Sequence, residues 1–212
     1  MREQTSTRTL NDDTCASDPG QITLSHNKLR LLRPDLYGIR GAWKSLLVFL
    51  RMGFPQRIYI EEQLLHGDSR AAVVISVSPL LIAAYTDELE CIAMLRFPDE
   101  LVHQYHLSVG TKLLTVNCYK DLQHCDPDLI LDPDHEEFRI WTGFHPLIAE
   151  FLTDDYSRVQ ARKSEITSDE WQRAFALGQR YAQLRPGVAR DGRPIYSSVQ
   201  SAALGAWPPR RW

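Results

Sequence analysis

The chain contains no CxxC pair, no HExxH, no GxxxxGK[ST], no GxGxxG and no GxSxG. Those gaps remove the compact signatures of zinc centres, phosphate-binding loops, dinucleotide sites and nucleophile elbows. Cysteine is scarce as well, with Cys15, Cys91, Cys118 and Cys125 in 212 residues. A chain of this length can bury a core without staples, so these read as free thiols in a reducing compartment. Long apolar runs are missing. LLVFL at 46–50 is typical and far too short for a bilayer. The opening MREQTSTRTLNDDTCASDPG lacks the apolar stretch of a secretory signal. A cytoplasmic location without membrane contact is the expectation. The net charge of -3 also gives no basic surface of the kind that grips nucleic acid.

What charge there is falls unevenly. From Asp121 to Glu137 every charged side chain is acidic, whereas from Arg185 to Trp212 there are five Arg and one Asp. Residues 1–20 are polar and close on Pro-Gly, so they read as a disordered leader. A single α+β domain is expected over 21–184, followed by an extended basic and aromatic tail over 185–212.

Within the domain, Pro34 and Gly38 suggest that 21–40 is an extended arm. Trp43, Leu46, Leu47 and Leu50 recur at helical spacing in 41–55. RIYIEEQLL at 57–65 alternates and predicts a strand. AAVVISVS at 71–78, LLIAAYT at 80–86 and LECIAMLRF at 89–97 predict three more. Pro79 and Asp87-Glu88 separate them, and Pro98 ends the last. Links this short demand antiparallel pairing. PDELVHQYHLSVG, 98–110, predicts a crossover helix, and TKLLTVNCYK, 111–120, a strand. EFRIW at 137–141 suits a short edge strand, and 145–163 suits a helix opening at Pro146. In 167–184 Thr167 and Glu170 form a capping box, and Trp171, Ala174, Phe175, Gly178, Tyr181 and Ala182 make one apolar stripe. The resulting fold class is α+β: an antiparallel sheet of about five strands, able to curl toward a barrel, with one crossover helix and a C-terminal helical layer.

Two stretches carry chemistry-capable residues. HCDPDLILDPDHEEF, 124–138, holds two His, one Cys and six carboxylates. His124, Asp126, Asp128, Asp132, Asp134 and His135 could ligate a divalent metal, because hard cations want several oxygens at close range. The segment lacks the Gly and the spacing of a calcium loop. Its two Asp-Pro pairs fit turns, with the acids facing water and Leu129–Leu131 folded onto the sheet. His103 and His106 share a helix face and read as surface residues rather than half of a zinc site. Cys118 reads as a buried structural thiol, and the acids around Cys125 oppose thiolate formation. In the tail, Trp207, Arg210, Arg211 and Trp212 could dock on a partner. Alternatively the tail folds back, with its Arg paired to the 121–137 acids.

These features point first to a non-catalytic binding or protein-interaction module, with a protein partner or self-association and no cofactor. One alternative is a metal-dependent hydrolase built on 124–137. Another is an immunity or antitoxin-like protein whose acidic segment meets a basic partner surface.

Overall fold

The structure is a computed structural model. It describes residues 16–37, 56–87, 90–120, 128–131, 142–194 and 199–200. The expected helix over 41–55 and the expected strand at 137–141 lie outside these residues. So do Cys15 and Cys125.

Apolar runs with short breaks form the centre of the sheet. β1 (Asp68–Val77), β2 (Leu80–Thr86) and β3 (Cys91–Phe97) are an antiparallel meander. β4 (Lys112–Lys120) pairs with the free side of β1. β5 (Ile130–Leu131) adds to β3, and β6 (Thr142–Ile148) lies outside β4. β7 (Ala189–Asp191) and β8 (Val199–Gln200) complete the order β6-β4-β1-β2-β3-β7-β8. Six of these strands have three residues or more. The sheet is mixed rather than purely antiparallel, because β7 runs parallel to β3.

Successive residues on the central strands face opposite layers. Ala72, Val74, Ile82, Ala84, Ala93 and Leu95 face one core. Ala71, Val73, Ala83, Tyr85, Ile92 and Met94 face the other. Both faces are covered, which explains why these strands are apolar without interruption. The first face is covered by α1 (His26–Leu32), α2 (Gln56–His66) and residues 149–152. The arm expected to be extended is thus partly helical, with Ser25 capping α1.

The strand predicted at 57–65 is corrected to helix α2. Ile60, Gln63 and Leu64 are buried at helical spacing. Gln63 Nε2 donates to the carbonyls of Val116 at 3.2 Å and His145 at 2.5 Å. Gly67 ends the helix where a Cβ would stand 2.6 Å from the Gln63 oxygen and 2.8 Å from that of Asn117.

The crossover helix is short, α3 (Glu100–Gln104), and Gly110 turns the chain into β4 at φ 84°. Pro146 does not open a helix. It lies in β6, paired with Asn117. β6 is an edge strand, where a missing N–H is tolerated. The helix begins later, as α4 (Tyr156–Glu165), where Asp155 accepts from the Arg158 amide at 3.0 Å.

α5 (Ser168–Leu184) covers the second face through Trp171, Ala174, Leu177, Gly178 and Tyr181. Thr167 caps it by accepting from the Glu170 amide at 3.2 Å. A Cβ on Gly178 would stand 2.7 Å from Ala83 Cβ and 2.5 Å from Ile75 Cδ1. Gly178→Ala is therefore expected to cost about 1–3 kcal/mol from overpacking, outweighing the roughly 1 kcal/mol of helix propensity gained. Chemical denaturation measures it. A stabilised variant would mean that α5 does not sit this close to the sheet. Among the described residues, no helix is long and apolar enough to cross a membrane.

Candidate functional site

The start of β1 is the centre of a cluster of buried charge. Asp68, Ser69 and Arg70 are all buried, just before the apolar run begins. Arg70 meets three carboxylates. Its Nη1 donates to Asp18 Oδ2 at 3.0 Å, and its Nε donates to Asp87 Oδ1 at 2.7 Å. Asp68 Oδ2 lies 2.8 Å from the same Nε. That N–H is spent on Asp87, so Asp68 Oδ2 is a buried oxygen that accepts no hydrogen bond. The other oxygen, Oδ1, accepts from the Asp18 amide at 2.9 Å. Arg70 Nη2 also donates to Ser17 Oγ at 2.7 Å.

A second guanidinium reaches the cluster from α4. Arg162 lies 3.2 Å from Asp18 Oδ1 and donates to Ser69 Oγ at 2.9 and 3.0 Å. It also pairs with Glu165. From α5, Glu170 accepts from the Ala71 amide at 2.8 Å. Its carboxylate is thus diverted from the expected capping box to the sheet. From β4, buried Tyr119 shares a 2.6 Å hydrogen bond with Thr86. Asn117 donates to the Tyr85 carbonyl at 2.8 Å.

These surroundings move the acidities. Burial pushes the Asp68 carboxyl up to about 7 against the pull of Arg70, and Asp87 and Asp18 add to the rise. Burial acts upward on Asp18 too, but hydrogen bonds from Arg70 and Arg162 hold it below the usual carboxylate range. Burial raises Glu170 despite the Ala71 amide, and raises Tyr119 far enough to keep it neutral. Chemically, the cluster can hold a proton and fasten chain segments. The polar ends of 16–20, β1, β2, α4 and α5 all meet there.

Of the six residues expected as metal ligands, His124, Asp126, Asp132, Asp134 and His135 lie outside the described residues. Asp128 is described, and Arg190 grips it on both oxygens, Nε at 2.6 Å and Nη2 at 2.8 Å. Both side chains are buried. Arg190 also donates to the Phe144 carbonyl at 2.5 Å. Burial and the nearby Asp128 push Tyr181 up to about 12. A tail arginine therefore pairs with one of the 121–137 acids, as the fold-back alternative requires for this part of the tail. Trp207, Arg210, Arg211 and Trp212 lie outside the described residues. His103 and His106 are exposed, and Cys91 and Cys118 are buried free thiols. Among the described residues, no group of three or more His, Cys, Asp or Glu is placed to hold a metal ion.

Two other arrangements are not visible from residue spacing. Glu150, buried beside β4, accepts from the Leu114 amide at 3.0 Å and from Lys163 Nζ at 3.0 Å. On the outer side of the N-terminal layer, Tyr37 sits between two guanidiniums, Arg30 at 4.8 Å and Arg57 at 5.2 Å from its ring centre. His26 Nδ1 is 2.9 Å from the Tyr37 hydroxyl. The chain neighbours Leu31 and Ile58 are 72% and 41% exposed. No protein-family model, no curated protein and no solved structure matches this chain.

Proposed function

We propose that this protein is a binding module without chemistry of its own, whose N-terminal helical layer meets a protein partner bearing acidic side chains. The observation that carries the reading is the stack of two exposed guanidiniums, Arg30 and Arg57, on half-buried Tyr37, with His26 on the tyrosine hydroxyl. Arginine and aromatic side chains are the groups most enriched in interface hot spots. A guanidinium resting on an aromatic ring still has N–H groups to offer a carboxylate. Exposed Leu31 and Ile58 supply apolar area beside the charges.

The buried ionic groups support the same reading. Asp68, Asp87 and Asp18 surround Arg70, Asp128 is held by Arg190, and Glu150 is held by Lys163 and an amide. Each fastens one segment of chain to another. A metal at Asp128 would have to displace Arg190 from a buried contact, so the hydrolase alternative starts with a competitor for its ligand. The buried thiols of Cys91 and Cys118 are compatible with a reducing compartment.

A poly-glutamate peptide titrated into the full chain tests the proposal. Binding is expected at low salt and should weaken as salt screens it. Arg30→Glu/Arg57→Glu should weaken it by at least about tenfold, roughly 1.4 kcal/mol. Equal affinity in the double variant would overturn the assignment of this face.

A further inference from the structure

We propose that the Asp18–Asp68–Arg70–Asp87 cluster is a proton-operated clasp, which seats residues 16–22 on the sheet while it holds an extra proton and loosens them when that proton leaves. The seated segment is fastened by backbone bonds, by this cluster, by Arg158, which donates to the Gly20 carbonyl and the Gln21 side chain, and by Ile22, which is buried in the core. Gly20, Gln21 and Ile22 donate to the carbonyls of Gly67, Leu65 and Leu64 at 2.9, 2.9 and 3.1 Å. The Ser69 amide donates to the Asp18 carbonyl at 2.9 Å, and the Asp18 amide returns to Asp68 Oδ1. Pro19 completes a bridge opposite Asp68.

The charges inside the clasp do not balance. Asp18, Asp68 and Asp87 contribute three carboxylates, and Arg70 and Arg162 contribute two guanidiniums. Glu165 draws on Arg162 from its own helix, and Glu170 adds a further carboxylate from α5. Tyr119 faces the cluster from β4 and stays neutral. Asp68 is the most enclosed of the acids and has the oxygen without a hydrogen bond. It is therefore the group that takes the proton. The direction of its acidity agrees, since burial moves it up to about 7.

Detaching 16–22 removes Asp18 from the cluster and uncovers Asp68, so its acidity returns toward the ordinary carboxylate value. The seated state thus binds the proton more tightly than the loose state. Linkage then requires seating to weaken as pH rises from the ordinary carboxylate value through about 7, and to change little beyond. Asp18 works in the opposite sense. Its lowered acidity range means that seating is also lost once pH falls below that of an ordinary aspartate.

Backbone hydrogen exchange of the full chain, corrected for intrinsic rates, reads the clasp directly. Between about pH 5 and about pH 8, protection of the Asp18, Gly20 and Gln21 amides should fall at least about tenfold. Protection of Val73 and Val74 in β1 should hold. Asp68→Asn fixes the position without charge and should abolish the difference. Should that variant fold poorly, the Asp68 side-chain carboxyl resonance of the unaltered protein serves instead, with an expected midpoint near neutrality. Constant protection of 16–22, an equal fall in β1, or a carboxyl midpoint at the ordinary aspartate value would each overturn the proposal.

Discussion

Arg190→Ala is expected to destabilise the protein by about 3–5 kcal/mol. The substitution leaves Asp128 in a site where it is 1% exposed and deprives it of both of its Arg190 hydrogen bonds. It also removes the donor to the Phe144 carbonyl. A buried ion pair need not be strongly stabilising as a whole, because two desolvated charges cost nearly what their attraction returns. Breaking it from one side is different, since the remaining charge keeps its desolvation penalty and loses its compensation. The double variant Asp128→Leu/Arg190→Met should therefore recover most of the loss. Urea denaturation of the two single variants and the double gives the coupling directly. A single-variant cost below about 1 kcal/mol would show that the pair is not formed, and the tail segment 189–191 would lose its anchor to the 128 region.

That anchor illustrates what the sequence can and cannot convey. β1, β2 and β3 are legible because each is a β-rich apolar run, and Pro79, the Asp87 turn and Pro98 mark their ends. α5 is legible through its Thr167 cap and its stripe. Both signals are local. Helix α2 is not legible, because Ile58 and Ile60 fit an alternating strand as well as a helix. The deciding contacts are those of Gln63 with carbonyls of β4 and β6, far away in the chain. β7 is just Ala-Arg-Asp in a Gly- and Pro-rich tail. It is a strand because β3 offers an edge, which nothing in those three residues announces.

The charged clusters are harder still. Asp18 and Asp68 are 50 positions apart, and Arg70 and Arg162 come from different layers of the fold. No spacing rule links them. A retrospective signal does exist: Asp68, Ser69 and Arg70 precede an unbroken apolar run, and polar residues in the opening turn of a doubly covered strand need buried partners. The tyrosine between Arg30 and Arg57 has no such signal, since α1, the turn and α2 must fold before the three meet.

Arg70→Met is expected to be as damaging as Arg190→Ala at alkaline pH and much milder in acid. Near pH 8 the cost should be about 3–5 kcal/mol, because Asp68, buried and flanked by Asp18 and Asp87 with the Arg70 guanidinium gone from its side, must then either keep an unpaired charge or take up a proton that is scarce at that pH. Near pH 5 the same carboxyl carries a proton. What is lost there is the set of hydrogen bonds from Arg70 to Ser17, Asp18 and Asp87, about 1–2 kcal/mol once their partial exposure to water is considered. The sign comes from proton binding. A carboxyl raised in the folded state holds a proton that the unfolded chain has released, so stability declines as pH rises through that range. Removing the Arg70 cation raises the folded-state acidity range further and steepens the decline. Urea midpoints of the unaltered protein and the Arg70→Met variant at the two pH values, at matched ionic strength, test this. Equal costs at both would mean that Asp68 stays charged throughout, with Arg70 neutralising it fully, and that the spare proton resides elsewhere in the cluster.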